Sequence, residues 1–134
     1  MKMWKMLKKI FGWKKDSKMR IFIICSVRGA SEEYKKELEA YVSKLEKEGH
    51  SVHLPHRDTK QDASGINICR QNKKEIKKAD EVHLFYSKES EGTHFDMGMA
   101  FMACKKLIVV KNIEYGPGKS FARMAAEEWQ QQGL

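Results

Sequence analysis

Three short apolar runs constrain this chain most. They are Arg20-Ile21-Phe22-Ile23-Ile24-Cys25-Ser26, Glu81-Val82-His83-Leu84-Phe85-Tyr86 and Lys106-Leu107-Ile108-Val109-Val110. The first, β-branched and without apolar–polar alternation, reads as a fully buried central strand; the second reads as a buried strand and the third as a further strand. Ser51 to Leu54 reads as a fourth, shorter strand closed by Pro55.

Amphipathic helical stretches separate the runs. Ser31 is a candidate N-cap, with half of a capping box because Tyr34 stands where Glu or Gln completes it. The helix it opens runs to about Glu48, with Tyr34, Leu38, Tyr41, Val42 and Leu45 on the apolar face and Gly49 in the C′ position. A polar loop is expected over residues 56–65. A helix follows over about 66–78, with Ile66, Cys69 and Ile76 inward and the Lys73, Lys74, Lys77, Lys78 cluster on a solvated face. Another is expected over about 95–104, with Phe95, Met99 and Met102 at helical spacing. Ser120 can cap a last helix ending near Gln131.

Strands alternating with helices predict an α/β fold. The expectation is an open, doubly wound parallel sheet of four to five strands, flavodoxin- or Rossmann-like, with helices on both faces. Ligands in such sheets sit beyond the carboxyl ends of the strands. The loops Ser26–Ala30, Ser87–His94 and Asn112–Lys119 are expected together at that edge.

The 134 residues suit one domain, over about 19–134, preceded by a distinct segment over 1–18. In that segment Met3, Trp4, Leu7, Ile10 and Phe11 form one apolar stripe among lysines. A basic amphipathic helix of this kind can lie on an anionic membrane surface, or pack on its own domain or a partner; alternatively, Met19 is the functional start. Of the +8 net charge, +7 falls within the first 20 residues. The pI of 9.4 therefore describes a tail, and nucleic acid is not an expected partner. Cys25, Cys69 and Cys104 are odd in number and form no CxxC pair, so buried free thiols are expected. With no secretory signal and no run of about 18 apolar residues, a cytoplasmic protein is expected, with possible membrane contact through residues 1–18.

At the strand-end edge the sequence gathers Ser26, Arg28, Gly29, Ser90, Gly92, Thr93, Asp96, Lys119 and Ser120. Hydroxyls, glycines, an Arg and a helix N-terminus suit a phosphate. Asp96 is expected in the first turn of its helix, where the dipole favours an ionised carboxylate. One carboxylate beside such a site suits attack at an anomeric carbon.

Ser26-Val27-Arg28-Gly29-Ala30 and Ser90-Glu91-Gly92-Thr93-His94-Phe95-Asp96-Met97-Gly98-Met99-Ala100 resemble the motifs of the nucleoside 2-deoxyribosyltransferase superfamily. They are most similar to its 2′-deoxynucleoside 5′-phosphate N-hydrolase branch, over about residues 20–125. The resemblance implies that Asp96 attacks C1′ of the sugar and displaces the base. Water or a second base then resolves the glycosyl-enzyme ester. It implies that Ser26, Arg28, Ser90 and Ser120 hold a 5′-phosphate, with Ser120 supplied by a neighbouring subunit of a homodimer. It implies that His56 lies near the base, and that no cofactor or metal takes part.

Three positions depart from the family pattern. Asp96 stands where Glu is usual, Asn72 where a carboxylate orients sugar and nucleophile, and Phe22 where a tyrosine is usual. Three readings follow: an N-glycosidase or deoxyribosyltransferase acting through Asp96, a nucleotide-binding or sensing module without catalysis, or cleavage of a dinucleotide such as NAD. His94 is a further candidate near the leaving base, against a merely solvated loop histidine. Gly116-Pro117-Gly118-Lys119-Ser120 lacks the first glycine of a P-loop, since Ile113 stands there. His50, His53 and His56 share no helix face, because Gly49 and Pro55 enforce strand and loop, so no metal is expected. Cys25-Ser26 at the end of the first strand lacks the acidic cluster of a phospho-receiver domain.

Overall fold

The computed structural model describes residues 18–61 and 64–129. The amphipathic stripe expected over residues 1–18, all but Lys18, and the expected end of the last helix lie outside the described residues.

The elements in chain order are β1 (Arg20–Ile24), α1 (Glu32–Lys47), β2 (Ser51–His53), α2 (Pro55–Asp58), α3 (Gly65–Lys78), β3 (Glu81–Leu84), α4 (Glu91–Met102), β4 (Lys106–Val109) and α5 (Phe121–Arg123), which runs on as a π-helical turn, Met124–Glu128. All pairings are parallel, in the order β2-β1-β3-β4. The doubly wound expectation holds with four strands among the described residues. A single reversal of strand order, beside β1, sets the carboxyl edge of β1 and β3 as the place for a ligand.

The period of two along β1 divides the core. Ile21, Ile23 and Cys25 face one way, against Leu38, Val42 and Leu45 of α1 together with Val52, Leu54 and Phe85. Phe22 and Ile24 face the other way and join Val82, Leu84 and Leu107 beneath Ile76, Met97, Ala100 and Trp129. Each fully buried Leu, Ile or Phe contributes about 1.5–3 kcal/mol on removal from water. The two layers together explain why β1 reads as continuous apolar sequence.

The helix ends follow their expected chemistry. Ser31, Ser64, Ser90 and Ser120 each cap a helix through the side-chain oxygen. At the end of α1, Gly49 takes a φ of +98°. His50 N–H donates to Leu45 O and Gly49 N–H to Glu46 O, closing a Schellman motif. The end of α4 closes in the same pattern, Lys105 to Ala100 and Cys104 to Phe101. There a cysteine, not a glycine, takes the left-handed conformation, at φ +56°.

Several expectations are corrected. The polar loop over 56–65 contains a helical turn, α2, because Pro55 at its start needs no N–H partner. On α3 Ile76 is buried as expected, but Ile66 is exposed and Asn72 is buried in addition. Capping by Ser90 starts α4 at Glu91, four residues before the expected start. That earlier start turns the helix: Thr93, Asp96, Met97 and Ala100 face inward, while Phe95 and Met102 are exposed. Cys25 is buried as expected, but Cys69 is half-buried and Cys104, turned outward by its position after the helix, is exposed.

Candidate active site

The β1–α1 and β3–α4 loops meet at the carboxyl edge of the sheet and wall a cleft of about 890 Å³. Ser26, Val27, Arg28 and Gly29 line it from the first loop, and Ser87, Glu89 and Ser90 from the second, with Glu91 and Gly92 from the first turn of α4. Cys25, Cys69, Asn72, Phe95 and Asp96 complete it with Pro55, Gln61 and Ile68. A smaller polar cleft of about 290 Å³, lined by Arg20, Ser51 and His53 among others, lies at the start of β1 and β2.

The loops are shaped locally. Gly29 turns the first loop with φ +73°, which side-chain-bearing residues adopt only with strain. Ser26 N–H donates to the Tyr34 hydroxyl at 3.4 Å, tying the end of β1 to α1. Ser90 Oγ accepts from Thr93 N–H at 3.1 Å. Gly92 needs no unusual backbone: a Cβ there would meet only Ser90 Oγ, at 3.9 Å. Its lack of a side chain leaves the cleft wall open.

Asp96 lies in the second turn of α4, five residues after Glu91, and not in the first turn as expected. The dipole effect falls off within the first turn, so the helix does not hold this carboxylate ionised. Asp96 is 7% exposed. Asn72 is its hydrogen-bond partner among the described residues, Nδ2 donating to Oδ2 at 3.5 Å. Burial pushes the Asp96 carboxyl up to about 7, against the lowering effect of that bond. Burial, and then the neighbouring charge of Asp96, push the Cys25 thiol up to about 12. Cys25 therefore lines the cleft as a neutral thiol rather than as a nucleophile.

The cleft thus unites Asp96, Asn72, Ser26, Arg28, Gly29, Ser90 and Gly92. Three other expected site residues do not line it. Phe22 is buried in the core, stacked on His53 at 5.3 Å between ring centroids. The His56 ring is tucked beneath α1, with Nε2 4.0 Å from Glu39 and neither ring nitrogen hydrogen-bonded; burial lowers its pKa. Ser120 caps α5 by accepting from Arg123 N–H at 3.1 Å, and the loop Asn112–Lys119 lends the cleft no residue. His94 also turns elsewhere. It bonds Ser90 O and the Tyr86 hydroxyl, at 2.8 and 2.9 Å, is half-buried, and does not line the cleft. The rings of His50, His53 and His56 go to three separate partners, Met19 N–H, Thr59 and Glu39.

Thr59 and His53 escaped the sequence reading. Thr59 is 4% exposed and donates to Asn72 Oδ1 at 2.7 Å, and His53 Nε2 lies 2.7 Å from the Thr59 hydroxyl. A threonine after a Pro-initiated turn gives no sequence sign that it reaches a helix 13 residues on.

The fold has counterparts among solved structures. The Clostridium botulinum CMP N-glycosidase BcmB is 26% identical, over 67% of this chain and 69% of that one, with a TM-score of 0.53. A 2-deoxyribosyltransferase from the psychrotolerant bacterium Bacillus psychrosaccharolyticus is 18% identical, over 67% of this chain and 70% of that one, with a TM-score of 0.57. No family model matches the chain, and no curated protein matches it. The resemblance drawn from the two loop motifs is borne out: the chain has the α/β architecture of nucleoside 2-deoxyribosyltransferase-like proteins. Among the described residues, no helix is long and apolar enough to cross a membrane.

Proposed function

We propose that this chain cleaves the N-glycosidic bond of a nucleoside 5′-monophosphate, with Asp96 as nucleophile. The observation that carries the reading is a nearly buried, under-paired carboxylate facing a cleft whose wall presents Arg28 and Ser90. The likeness to BcmB, a CMP N-glycosidase, supports the reaction class.

In the proposed reaction the ionised Asp96 attacks C1′. The glycosidic electron pair leaves with the base, and a sugar ester forms on the carboxylate. Water then attacks the ester and regenerates Asp96; a second base in place of water gives transfer. The Asn72 Nδ2–H₂ group holds the attacking oxygen. Arg28, the Ser26 and Ser90 hydroxyls and the open turn at Gly29 receive the 5′-phosphate. Glu89 and Glu91 share that wall, so the phosphate belongs on the Arg28 side. Ser120 reaches a phosphate only from a second subunit, so a homodimer accompanies this proposal, and sedimentation at micromolar concentration checks it.

The test is release of free base from a panel of nucleosides, nucleoside 5′-monophosphates and NAD. Monophosphates are the expected substrates. Arg28→Ala is expected to weaken monophosphate use by tenfold or more, about the 1.5–3 kcal/mol of a charged hydrogen bond, and to leave nucleosides nearly unaffected. Equal losses on both would sink the phosphate assignment. Binding without base release would instead favour the nucleotide-binding or sensing module.

A further inference from the structure

Asn72 stands at the centre of a buried chain of polar groups. On one side its Nδ2 faces Asp96 at 3.5 Å, and on the other its Oδ1 accepts from Thr59 Oγ1 at 2.7 Å. Thr59 is in turn 2.7 Å from His53 Nε2. His53 Nδ1 lies 3.9 Å from Glu75, one turn along α3 from Asn72.

The direction of these bonds follows from counting protons. A threonine hydroxyl has one, and here it goes to Asn72 Oδ1. His53 Nε2 must then carry a hydrogen and donate to Thr59. With its pKa lowered, His53 is neutral and holds one ring hydrogen; the 2.7 Å contact with Thr59 claims it for Nε2, and Glu75, 3.9 Å from Nδ1, is too far to hydrogen-bond it there. Other charges around His53 come from α2, Asp58 raising its pKa and Arg57 lowering it, while burial lowers it most. If the Asn72 amide were turned over, Oδ1 would face the Asp96 carboxylate and Nδ2 would face the Thr59 hydroxyl. Lone pairs would then oppose each other at the reacting group.

The supports are themselves held. Thr59 N–H donates to Pro55 O at 3.0 Å, and its carbonyl accepts from Gln61. The next residue is tied to α3 from both sides, Lys60 N–H to Gln71 Oε1 at 2.9 Å and Gln71 Nε2 to Lys60 O at 3.3 Å. The His53 ring lies flat on Phe22, the planes 7° apart. Asn72 and Phe22, two positions where the sequence departs from its family pattern, therefore belong to one network.

We propose that Thr59 and His53 are positioning residues that lock the Asn72 amide with its N–H₂ group toward Asp96. The use made of that orientation, holding the nucleophile for attack, rests on the function proposed above. The lock itself does not. An amide fixed as donor stabilises the Asp96 carboxylate, and one free to turn does not.

The experiment follows the Asp96 side-chain carboxyl by ¹³C NMR from pH 4 to 10, alongside base release from a nucleoside 5′-monophosphate. The variants are Thr59→Val, Thr59→Ser and His53→Phe, which keeps a ring on Phe22 but removes the donor. Thr59→Val is expected to raise the titration midpoint by about one unit or more, Thr59→Ser to restore it, and His53→Phe to raise it less. If the function reading holds, kcat in Thr59→Val falls by about tenfold or more with KM within about twofold, because the group acts on the nucleophile and not on the ligand. Should Thr59→Val fail to fold, the His53→Phe titration decides. Midpoints unchanged in the folded variants overturn the lock even if the parent is active. A shifted midpoint in a parent that releases no base upholds the lock and fails the function reading.

Discussion

Among the described residues two carboxylates are nearly buried, and they are treated in opposite ways. Glu81, 8% exposed at the start of β3, lies 2.8 Å from His83 Nε2 and 3.9 Å from Lys106 Nζ. His83 Nδ1 is held by the Tyr41 hydroxyl at 2.5 Å. Asp96, 7% exposed at the other edge of the sheet, has a single amide at 3.5 Å. The hydrogen bond from His83 holds Glu81 below its ordinary range, and burial raises Asp96 to about 7. A buried charge with partners on all sides serves the fold. A buried charge left short of partners, and open to a cleft, has capacity left for a ligand.

The largest effect that would break this contrast is on activity. Asp96→Ala is expected to cut base release by about a thousandfold or more, as loss of a covalent nucleophile does, in a variant whose circular dichroism shows it folded. Residual release within tenfold of the parent would make Asp96 a bystander.

The next effect is on stability, and it has opposite signs at the two sites. The folded-state pKa of Asp96 lies above its unfolded value near 4. Its contribution is therefore fully present below pH 4 and is lost as pH rises toward and through about 7. Asp96→Asn removes this dependence. It is expected to stabilise the fold at pH 8 by on the order of 2–4 kcal/mol, and by little at pH 4, in urea unfolding. Glu81, shifted down, contributes stability above its unfolded value near 4.5 and loses it as pH falls through the lower folded value. Glu81→Gln is expected to cost about 1–3 kcal/mol at pH 7 and leave base release unchanged. A stabilising Glu81→Gln, or a destabilising Asp96→Asn at pH 8, would erase the distinction.

The smallest effect concerns the rate profile. In the proposed reaction Asp96 attacks as the carboxylate, so kcat/KM is expected to rise about tenfold per unit below about pH 7 and to flatten above it. A limb centred near pH 4 would mean that the free site solvates Asp96 better than the closed packing around it indicates.

The fold was legible because β1, β3 and β4 carry their burial on their faces as apolar runs, and because Ser31 and Gly49 mark the ends of α1. Half of the cleft was legible for the same reason, since loops after β1 and β3 must meet at one edge. What escaped depends on tertiary placement. Phe95 and Met102 carry the apolar spacing of α4, yet capping by Ser90 turns them outward and Asp96 inward. The environment of Asp96 therefore inverted, from a dipole-stabilised anion to a raised carboxyl. Asn72 looked like the loss of a carboxylate. Its fixed orientation comes from Thr59 and His53, residues whose sequence neighbourhood, a polar loop and a short strand, says nothing of α3. His56 and Ser120 match motif positions, but the packing of α2 and the cap of α5 keep both outside the cleft.

The most direct measurement is the mass of the α4 segment Glu91–Met102 after rapid acid quench of the protein mixed with a nucleoside 5′-monophosphate. The account gives a transient adduct of substrate less its base, localised to Asp96 and absent in Asp96→Ala. Base release that continues in Asp96→Ala with no adduct would contradict it.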